Sequence, residues 1–549
     1  MFPYFLFWEH QKKKSGETMN ETINETTETN TNETNTTVSI PTSTPPTNNK
    51  LNGPDEMYLF GRKIIYADYK EEDMNAAIIA KILSDVFSLH LQNSNEIDYL
   101  EKYYKGYQPI FSKEKEIRPT INNIVVENNA YFVTEFKKSY VFGEPIQYVQ
   151  RGDVANEEVS TLNSYMLAEG KYTKDTMLAE SLYISGIGHR LILPEDTEDS
   201  PFYIENLDSK KTFCVYSSFL PHKKLFACTY TMGVKDRTIR GSIYTKNSYY
   251  TFTSGGIGQA FDVVFKQNHI MGIIPIFEYY LNQSRLGIIE VILSILNALN
   301  RISSNDLDGL EQFVQSILVF INNDIDAETY QQILDMGAVK LNTTDPSRPA
   351  DVKQLTNTLE HANTKVLHDR LFNTALNIVG IPKNSDKASG GDTGQARLLG
   401  EGWTMADERA KQDEAMFKEC AKEELRLILR ICKLSPKSNI NTLTLKDVEQ
   451  KFTRNKSDNF LVKSQGLMNQ IQSGVSPDVA MTTSGLYSDT NEAFNKSMEF
   501  YGGREEWIRI FASKAKESTN KNNDKNSDES LRTTSTSKDA SGEVNKKED

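Results

Sequence analysis

Cysteine and histidine are the side chains best suited to hold a metal or to act as nucleophile and base. Here neither is arranged for that work. The four cysteines, Cys214, Cys228, Cys420 and Cys432, form no C-x-x-C pair and are too few for a disulfide scaffold. They predict a reduced compartment during folding and no zinc site. His189, His222, His269, His361 and His368 are scattered without ligand spacing. His361 and His368 lie one heptad apart on an expected helix and read as a surface coincidence. The sequence has no G-x-x-x-x-G-K-[ST], no H-E-x-x-H and no G-x-S-x-G, so the usual nucleotide, zinc-hydrolase and serine-hydrolase signatures are missing. Ser254-Gly-Gly-Ile-Gly258 looks superficially like a phosphate loop. It sits in strand-like sequence and lacks the third glycine, and a β-turn or bulge accounts for it better. No catalytic residue, metal site or cofactor is expected.

The elements that carry these residues are unevenly distributed. The chain has 549 residues, 38% hydrophobic and 25% charged, with formal net charge -13. Such a length predicts several domain-sized parts. A mean hydropathy of -0.52 places the apolar material away from the polar ends. Residues 15–55 carry Asn20-Glu-Thr, Asn24-Glu-Thr and Asn32-Glu-Thr followed by a Pro-rich stretch. That arm is too poor in apolar side chains to offset ordering entropy, and the tail from about 513 to 549 has the same character. The Phe2 to Trp8 run precedes, rather than follows, its basic cluster and does not read as a signal peptide. The Asn-x-Thr triplets are therefore read as coincidental glycosylation matches. The most apolar stretch, Leu286 to Leu299, is broken by Glu290, Ser294 and Asn297 and is short of the roughly 20 residues a membrane span needs. It predicts a buried helix, and no membrane segment is expected.

Between the arms the periodicity predicts an α+β chain. Helices are expected at Asp73–Leu91, Asn129–Tyr140, Asn163–Glu169 and Thr173–Ser185, where apolar residues recur at helical spacing. Strands are expected at His189–Leu193, Thr212–Tyr216, Lys224–Tyr230, Ser242–Thr245 and Tyr249–Phe252, rich in β-branched and aromatic residues. Helix returns at about 285–315. A small β-α-β insertion follows, with strands at Ser316–Ile321 and Ala338–Leu341 around a helix at Ala327–Met336. Further helices are expected at Asn357–Ile378 and Met405–Leu434, separated by a Gly-rich loop at Pro382–Gly402. A strand at Val448–Thr453 and short helices between Leu461 and Tyr501 complete the folded part. The order is two helices flanking a compact insertion, then a loop, then a long helix. Ala406 to Arg430 pairs opposite charges at i,i+3 and i,i+4, the pattern of a solvated face.

Four segments give this order a resemblance. Tyr131-Phe-Val-Thr-Glu-Phe-Lys-Lys-Ser-Tyr-Val-Phe-Gly-Glu-Pro-Ile146, Gly272-Ile-Ile-Pro-Ile-Phe-Glu278, Asp306-Leu-Asp-Gly-Leu-Glu-Gln-Phe313 with Ser316-Ile-Leu-Val-Phe320, and Gly391-Asp-Thr-Gly-Gln-Ala-Arg-Leu-Leu399 follow one another in order. Together they resemble the SPP1-type portal proteins of tailed bacteriophages over roughly 57–500. The resemblance implies a portal fold with an α/β wing, a two-helix stem, a small β-α-β clip, a long wing helix and a helical crown. By that analogy the parts are an arm (1–56), the N-terminal part of the wing (57–270), a first stem region (271–316), the clip (317–356) and a second stem helix (357–381). A tunnel loop (382–403), the long helix with its return to the wing (404–460), the crown (461–505) and a tail (506–549) follow. The family's function implies a homododecameric ring at one capsid vertex of the virion, made in the host cytoplasm, through which double-stranded DNA is packaged and ejected. It further implies docking to the terminase large subunit, to major capsid and scaffolding proteins, and to a head-completion or adaptor protein.

The resemblance also gives the Gly-rich loop a role. Lys383, Ser385, Lys387, Ser389, Gly390, Gly391, Thr393, Gly394 and Arg397 would line the DNA channel as its tunnel loop. Hydroxyls and a few cations repeated around a ring would touch phosphates without reading sequence. Taken without the family, the same residues describe an ordinary solvent loop. The acidic balance suits a passage that must not adhere to DNA, and equally suits plain solubility. Two other classes stay open at this point: a nucleic-acid-processing enzyme and a glycosylated surface protein.

Overall fold

The computed structural model describes residues 53–116, 119–151, 157–195, 197–314, 317–321, 351–355, 361–383, 402–454, 460–487 and 490–503, with 505, 506 and 509. Elements are numbered along the chain. A short strand β1 (Ile65–Ala67) leads into α1 (Ala76–Tyr104), whose first turn is capped by the Asn75 side chain accepting from the Ile78 amide. α2 (Asn129–Phe142), β2 (Gln147–Gln150), α3 (Glu157–Ala168) and α4 (Lys171–Ser185) follow. The strands are β3 (Ile187–Pro194), β4 (Phe202–Leu207), β5 (Thr212–Ser217), β6 (Lys224–Met232), β7 (Ile239–Tyr244), β8 (Ser248–Ser254), β9 (Asp262–Asn268) and β10 (Ile276–Tyr280). Then come α5 (Ile288–Val314), β11 (Ile317–Ile321), β12 (Asp351–Leu355), α6 (His361–Val379), α7 (Trp403–Leu434) and β13 (Val448–Lys451). The last helices are α8 (Phe460–Gln472), α9 (Pro477–Ser484) and α10 (Thr490–Phe500).

The α+β expectation holds, but the strand block is two sheets rather than one. A six-stranded sheet runs β1-β5-β6-β7-β8-β9, and a three-stranded sheet runs β10-β3-β4. Leu191 and Ile276 from the smaller sheet meet Cys214 and Ala227 from the larger in a small apolar cluster. Strands β1, β2, β4, β9 and β12 are not anticipated by the sequence reading; β4 is missed although Phe202, Ile204 and their neighbours alternate buried and exposed. It is short and contains Glu205 and Asn206, which diluted the pattern. β2 and β13 pair antiparallel across some 300 residues of chain, Tyr148 opposite Gln450, a contact no local periodicity announces.

α1 extends thirteen residues beyond its expected end at Leu91. Its second half looks polar, yet Asn93, Ile97, Leu100 and Tyr104 keep the 4-3-4 spacing and are buried. The first half packs on the six-stranded sheet through Ile79, Leu83 and Phe87. The second half packs on α2, α5 and α6. A third core joins α2, α3, α4, the smaller sheet and α7. At Ser254-Gly-Gly-Ile-Gly258 the chain turns from β8 toward β9, with Ser254 Oγ donating to the Gly256 carbonyl at 3.0 Å, so this is the turn that the sequence suggested. The expected helix at 327–336 and strand at 338–341 lie outside the described residues.

Candidate functional site

Helices α5 and α6 form an antiparallel pair because each carries an apolar stripe that water would otherwise cover. Ile289, Ile292, Leu293, Leu296 and Leu299 of α5 are buried against Ala375, Leu376 and Val379 of α6 and Ile184 of α4. The helix is thus an intrachain core element on most faces, as expected; Val291, 52% exposed, marks the open one. At the far end of the pair β11 and β12 lie antiparallel, Ile317 opposite Leu355 and Ile321 opposite Asp351.

The polar residues of α5 have a different task. The Glu290 carboxylate accepts from the amides of Gly61 at 3.0 Å and Gly287 at 3.1 Å and from Arg62 at 2.8 Å. Farther along, an extended strap lies antiparallel to the helix. The amides of Asn123, Val125 and Glu127 donate to Asp308 Oδ1, Ser304 Oγ and Asn300 Oδ1 at 2.6, 3.0 and 3.1 Å. Two extended residues advance about 6.6 Å and four helical residues about 6 Å, so the two repeats stay in step. Lys113 and Lys115 close on Asp308 at 2.7 and 3.0 Å. Burial alone would raise the Asp308 carboxyl, but bonds from Lys113, Lys115 and Asn123 hold it at about 2. His368 of α6 reaches the strap as well, with Nε2 2.8 Å from Glu127 Oε1. It is therefore a tie between helix and strap and not the coincidence its spacing suggested.

α6 ends in a Schellman-type turn. The Ile381 amide donates to the Leu376 carbonyl at 2.9 Å, and Gly380 takes φ +71°. A Cβ there would meet Arg409 Cγ at 2.8 Å, so glycine is required on both counts. Ile381 and Pro382 are buried and Lys383 is exposed. Of the nine expected channel residues, Lys383 alone is among those described. Ser385, Lys387, Ser389, Gly390, Gly391, Thr393, Gly394 and Arg397 lie outside the described residues. The chain re-enters at Gly402, φ +84°, where a Cβ would stand 3.8 Å from Pro382 Cα. Departure and return are thus neighbours. Trp403, the first residue of α7, then lies beside the rings of Phe136 and Tyr140, centroids 6.3 and 6.0 Å away.

α7 is not simply the solvated helix its charges suggested. Lys422–Glu419 and Arg426–Glu423 pair along its outer side. Ala410, Glu414, Phe417, Ala421, Glu424 and Ile428 are buried on the inner one. Glu414 and Glu424 fall in phase with that apolar stripe, the one signal by which they could have been found. Glu424 meets Lys171 at 3.3 Å and Arg190 at 3.4 Å, Asp175 takes both cations at 2.7 and 2.6 Å, and Tyr279 donates to Glu424. Burial would raise the Glu424 carboxyl; Lys171 and Arg190 pull it below its ordinary range. The cluster fastens α4, β3, β10 and α7 together. Nearer the start of α7, Asp413 accepts from the Tyr183 hydroxyl at 3.2 Å and lies 3.9 Å from Lys137. At that separation burial dominates, raising the Asp413 carboxyl and lowering the Lys137 amine.

The described residues form a braced helical pair with a stranded tip, and a long helix that starts beside the end of the second of the pair. Among the described residues no cluster of three or more His, Cys, Asp or Glu is placed to hold a metal, and no helix is long and apolar enough to cross a membrane. A family model described as "Phage portal protein, SPP1 Gp6-like" matches residues 84–496. The chain belongs to that family of phage portal proteins.

A search of curated proteins finds no match. Among solved structures the chain is similar to a component of the virion of a native gene transfer agent particle. The identity there is 13% and the TM-score 0.37, over 71% of this chain and 94% of that one. It is also similar to a component of the neck of the native particle, computed with C12 symmetry. That match has 13% identity and a TM-score of 0.36, over 65% of this chain and 89% of that one.

Proposed function

We propose that the chain is the subunit of a portal ring. Copies, twelve by the family's precedent, would surround a channel at one capsid vertex of a virion. Double-stranded DNA would pass through it in packaging and in ejection. The reading rests on one observation, the family match across residues 84–496. In this proposal the paired helices are the stem, their stranded tip the clip, the sheets with the long helix beginning at Trp403 the wing, and the helices within 461–505 the crown. The tip at β11–β12 is the proposed dock for the terminase large subunit and later for the head-completion protein. The sheets would face the capsid and scaffolding proteins. Lys383 with Ser385, Lys387, Ser389, Gly390, Gly391, Thr393, Gly394 and Arg397 would form the tunnel loop, touching phosphates weakly and repeatedly. No catalytic step is assigned to the chain.

Electron microscopy of the purified full-length protein tests the ring; a strict monomer with no rings sinks it. Deleting Ser385–Gly394 tests the loop. Heads are expected to assemble but to package DNA poorly, and normal packaging would remove the loop from the channel.

A further inference from the structure

The free edges of the sheets are not treated alike. At β2 the Asn163 side chain accepts from the Tyr148 amide at 3.1 Å and donates to the Tyr148 carbonyl at 2.7 Å. At β4 the Ile204 amide donates to the Glu169 carboxylate at 3.0 Å, and at β10 the Ile276 carbonyl accepts from Lys224 at 3.0 Å. β1 is only three residues long. Each device denies a passing chain a strand to pair with. β9 is different. It is the outer strand of the six-stranded sheet, seven residues long, and every residue but Val263 is exposed. At the turn into β8 the Thr245 amide donates to the Ser248 carbonyl at 2.9 Å. Alternation from that pair turns the main chain of Thr251, and of Val264 opposite it, toward each other. Val263 and Phe265 therefore aim their amides and carbonyls outward, and among the described residues no side chain caps them.

We infer that β9 is a surface where two copies of this chain meet, pairing edge to edge and antiparallel about a two-fold axis through Val264. The run Asp262-Val-Val-Phe-Lys266 is its own complement in that register. Asp262 falls opposite the second copy's Lys266, Val263 opposite its Phe265, and Val264 opposite Val264. The outward groups of Val263 and Phe265 then exchange main-chain bonds, while acid faces base at each end, where opposite charges stabilise a sheet. The register shift between β8 and β9 falls after Phe265, so Asp262–Phe265 is regular and the long Lys266 side chain absorbs the offset. One strand edge buries less than a tight dimer needs, so the contact is weak between free chains. It is isologous and cannot lie within one cyclic ring, whose contacts are heterologous. It joins free chains or subunits of different rings, and it does not rest on the portal reading.

Cysteine crosslinking of the full-length chain tests the register. Val264, 43% exposed, stands against its own copy in a non-hydrogen-bonded pair, with Cα atoms about 4.5 Å apart and within disulfide range. Lys266 stands about 13 Å from its own copy, since four residues separate them along the strand. Under mild oxidation Val264→Cys is expected to give a disulfide-linked dimer about tenfold more readily than Lys266→Cys. Adding Lys266→Glu to Val264→Cys sets acid against acid and should cut that yield about fivefold at low salt. Adding Asp262→Lys as well exchanges the two charges and should restore it. Both charged positions are exposed, so the fold is spared, and an unchanged far-UV spectrum checks this. No dimer from Val264→Cys, the result expected where another polypeptide covers this edge, overturns the inference. Equal yields from the two cysteine positions overturn it too, and so does a failure of the charge exchange to restore the dimer.

Discussion

Side chains such as Arg190 and His189 are wholly enclosed, and each has a different reason for tolerating that. Arg190 keeps its charge because Asp175 and Glu424 stand against it and Asn206 accepts from its Nε at 2.9 Å. Breaking such a group by removing one partner leaves an uncompensated charge, at a cost of about 3–5 kcal/mol. Glu424→Gln is expected to lower the unfolding free energy by about that amount, measured by urea denaturation. His189 instead stays neutral: burial depresses its imidazole to about 4, and burial takes His90 to about 3. Both folded values lie below the unfolded value of about 6.5, so the unfolded chain binds more protons in between. Stability is therefore full above pH 6.5 and falls as the pH drops from there toward 4, by about 1.4 kcal/mol per pH unit per histidine. Glu278, held at about 2 by Arg285 and Tyr216 against the effect of burial, adds its own loss only below about 4.5. His189→Asn should flatten the slope between pH 6.5 and 4.5 and leave the steeper region below it. An unchanged slope would show that the imidazole is not the titrating group.

At the scale of elements, α5 shows two kinds of adhesion on one helix. Its apolar stripe should respond as a core does: Ile292→Ala, at a fully buried position, should cost about 2–5 kcal/mol. Its polar side should respond locally. Asp308→Asn leaves Lys113 and Lys115 without their counter-charge, and loss of charge-assisted bonds costs about 1.5–3 kcal/mol. Amides 121–127 are then expected to exchange about 10- to 100-fold faster, with little change in the sheets. If those amides stay protected, the strap is held by something other than this carboxylate. The two sides also show what was legible in the sequence. The stripe at 289, 292, 293, 296 and 299 announces a buried helix, and the two helices flanking an insertion were recoverable with their order. Glu290 and Asn297 register only as interruptions and Asn300 not at all, because the groups they serve, the Gly61 amide, the Tyr103 hydroxyl and the Glu127 amide, lie about 170 or more residues away in sequence. The inward carboxylates of α7 were missed for the opposite reason: the many outward charge pairs mask two that share the apolar phase.

At the scale of the whole molecule, the apolar surface left open on the helical pair bears on assembly. Leu307 and Leu310 near the end of α5, and Val366 and Leu367 near the start of α6, stand at the same end of the antiparallel pair. Leu310 is 49% and Val366 67% exposed. Scattered exposed leucines are ordinary, but a set gathered at one end of two long helices is a surface that a neighbour would cover. The proposed ring would supply such a neighbour, since each subunit of a ring meets the next through a heterologous contact that closes on itself. Charges placed there should spare the fold and prevent association, because both side chains are already in contact with solvent. Leu310→Lys with Val366→Glu is therefore expected to give a folded monomer with the wild-type far-UV spectrum and a melting temperature no lower than that of dissociated wild-type chains. Analytical ultracentrifugation would show the loss of the large species. Rings that persist in this double variant would mean that the subunits meet elsewhere, and the open end of the pair would then have to be explained by a different partner.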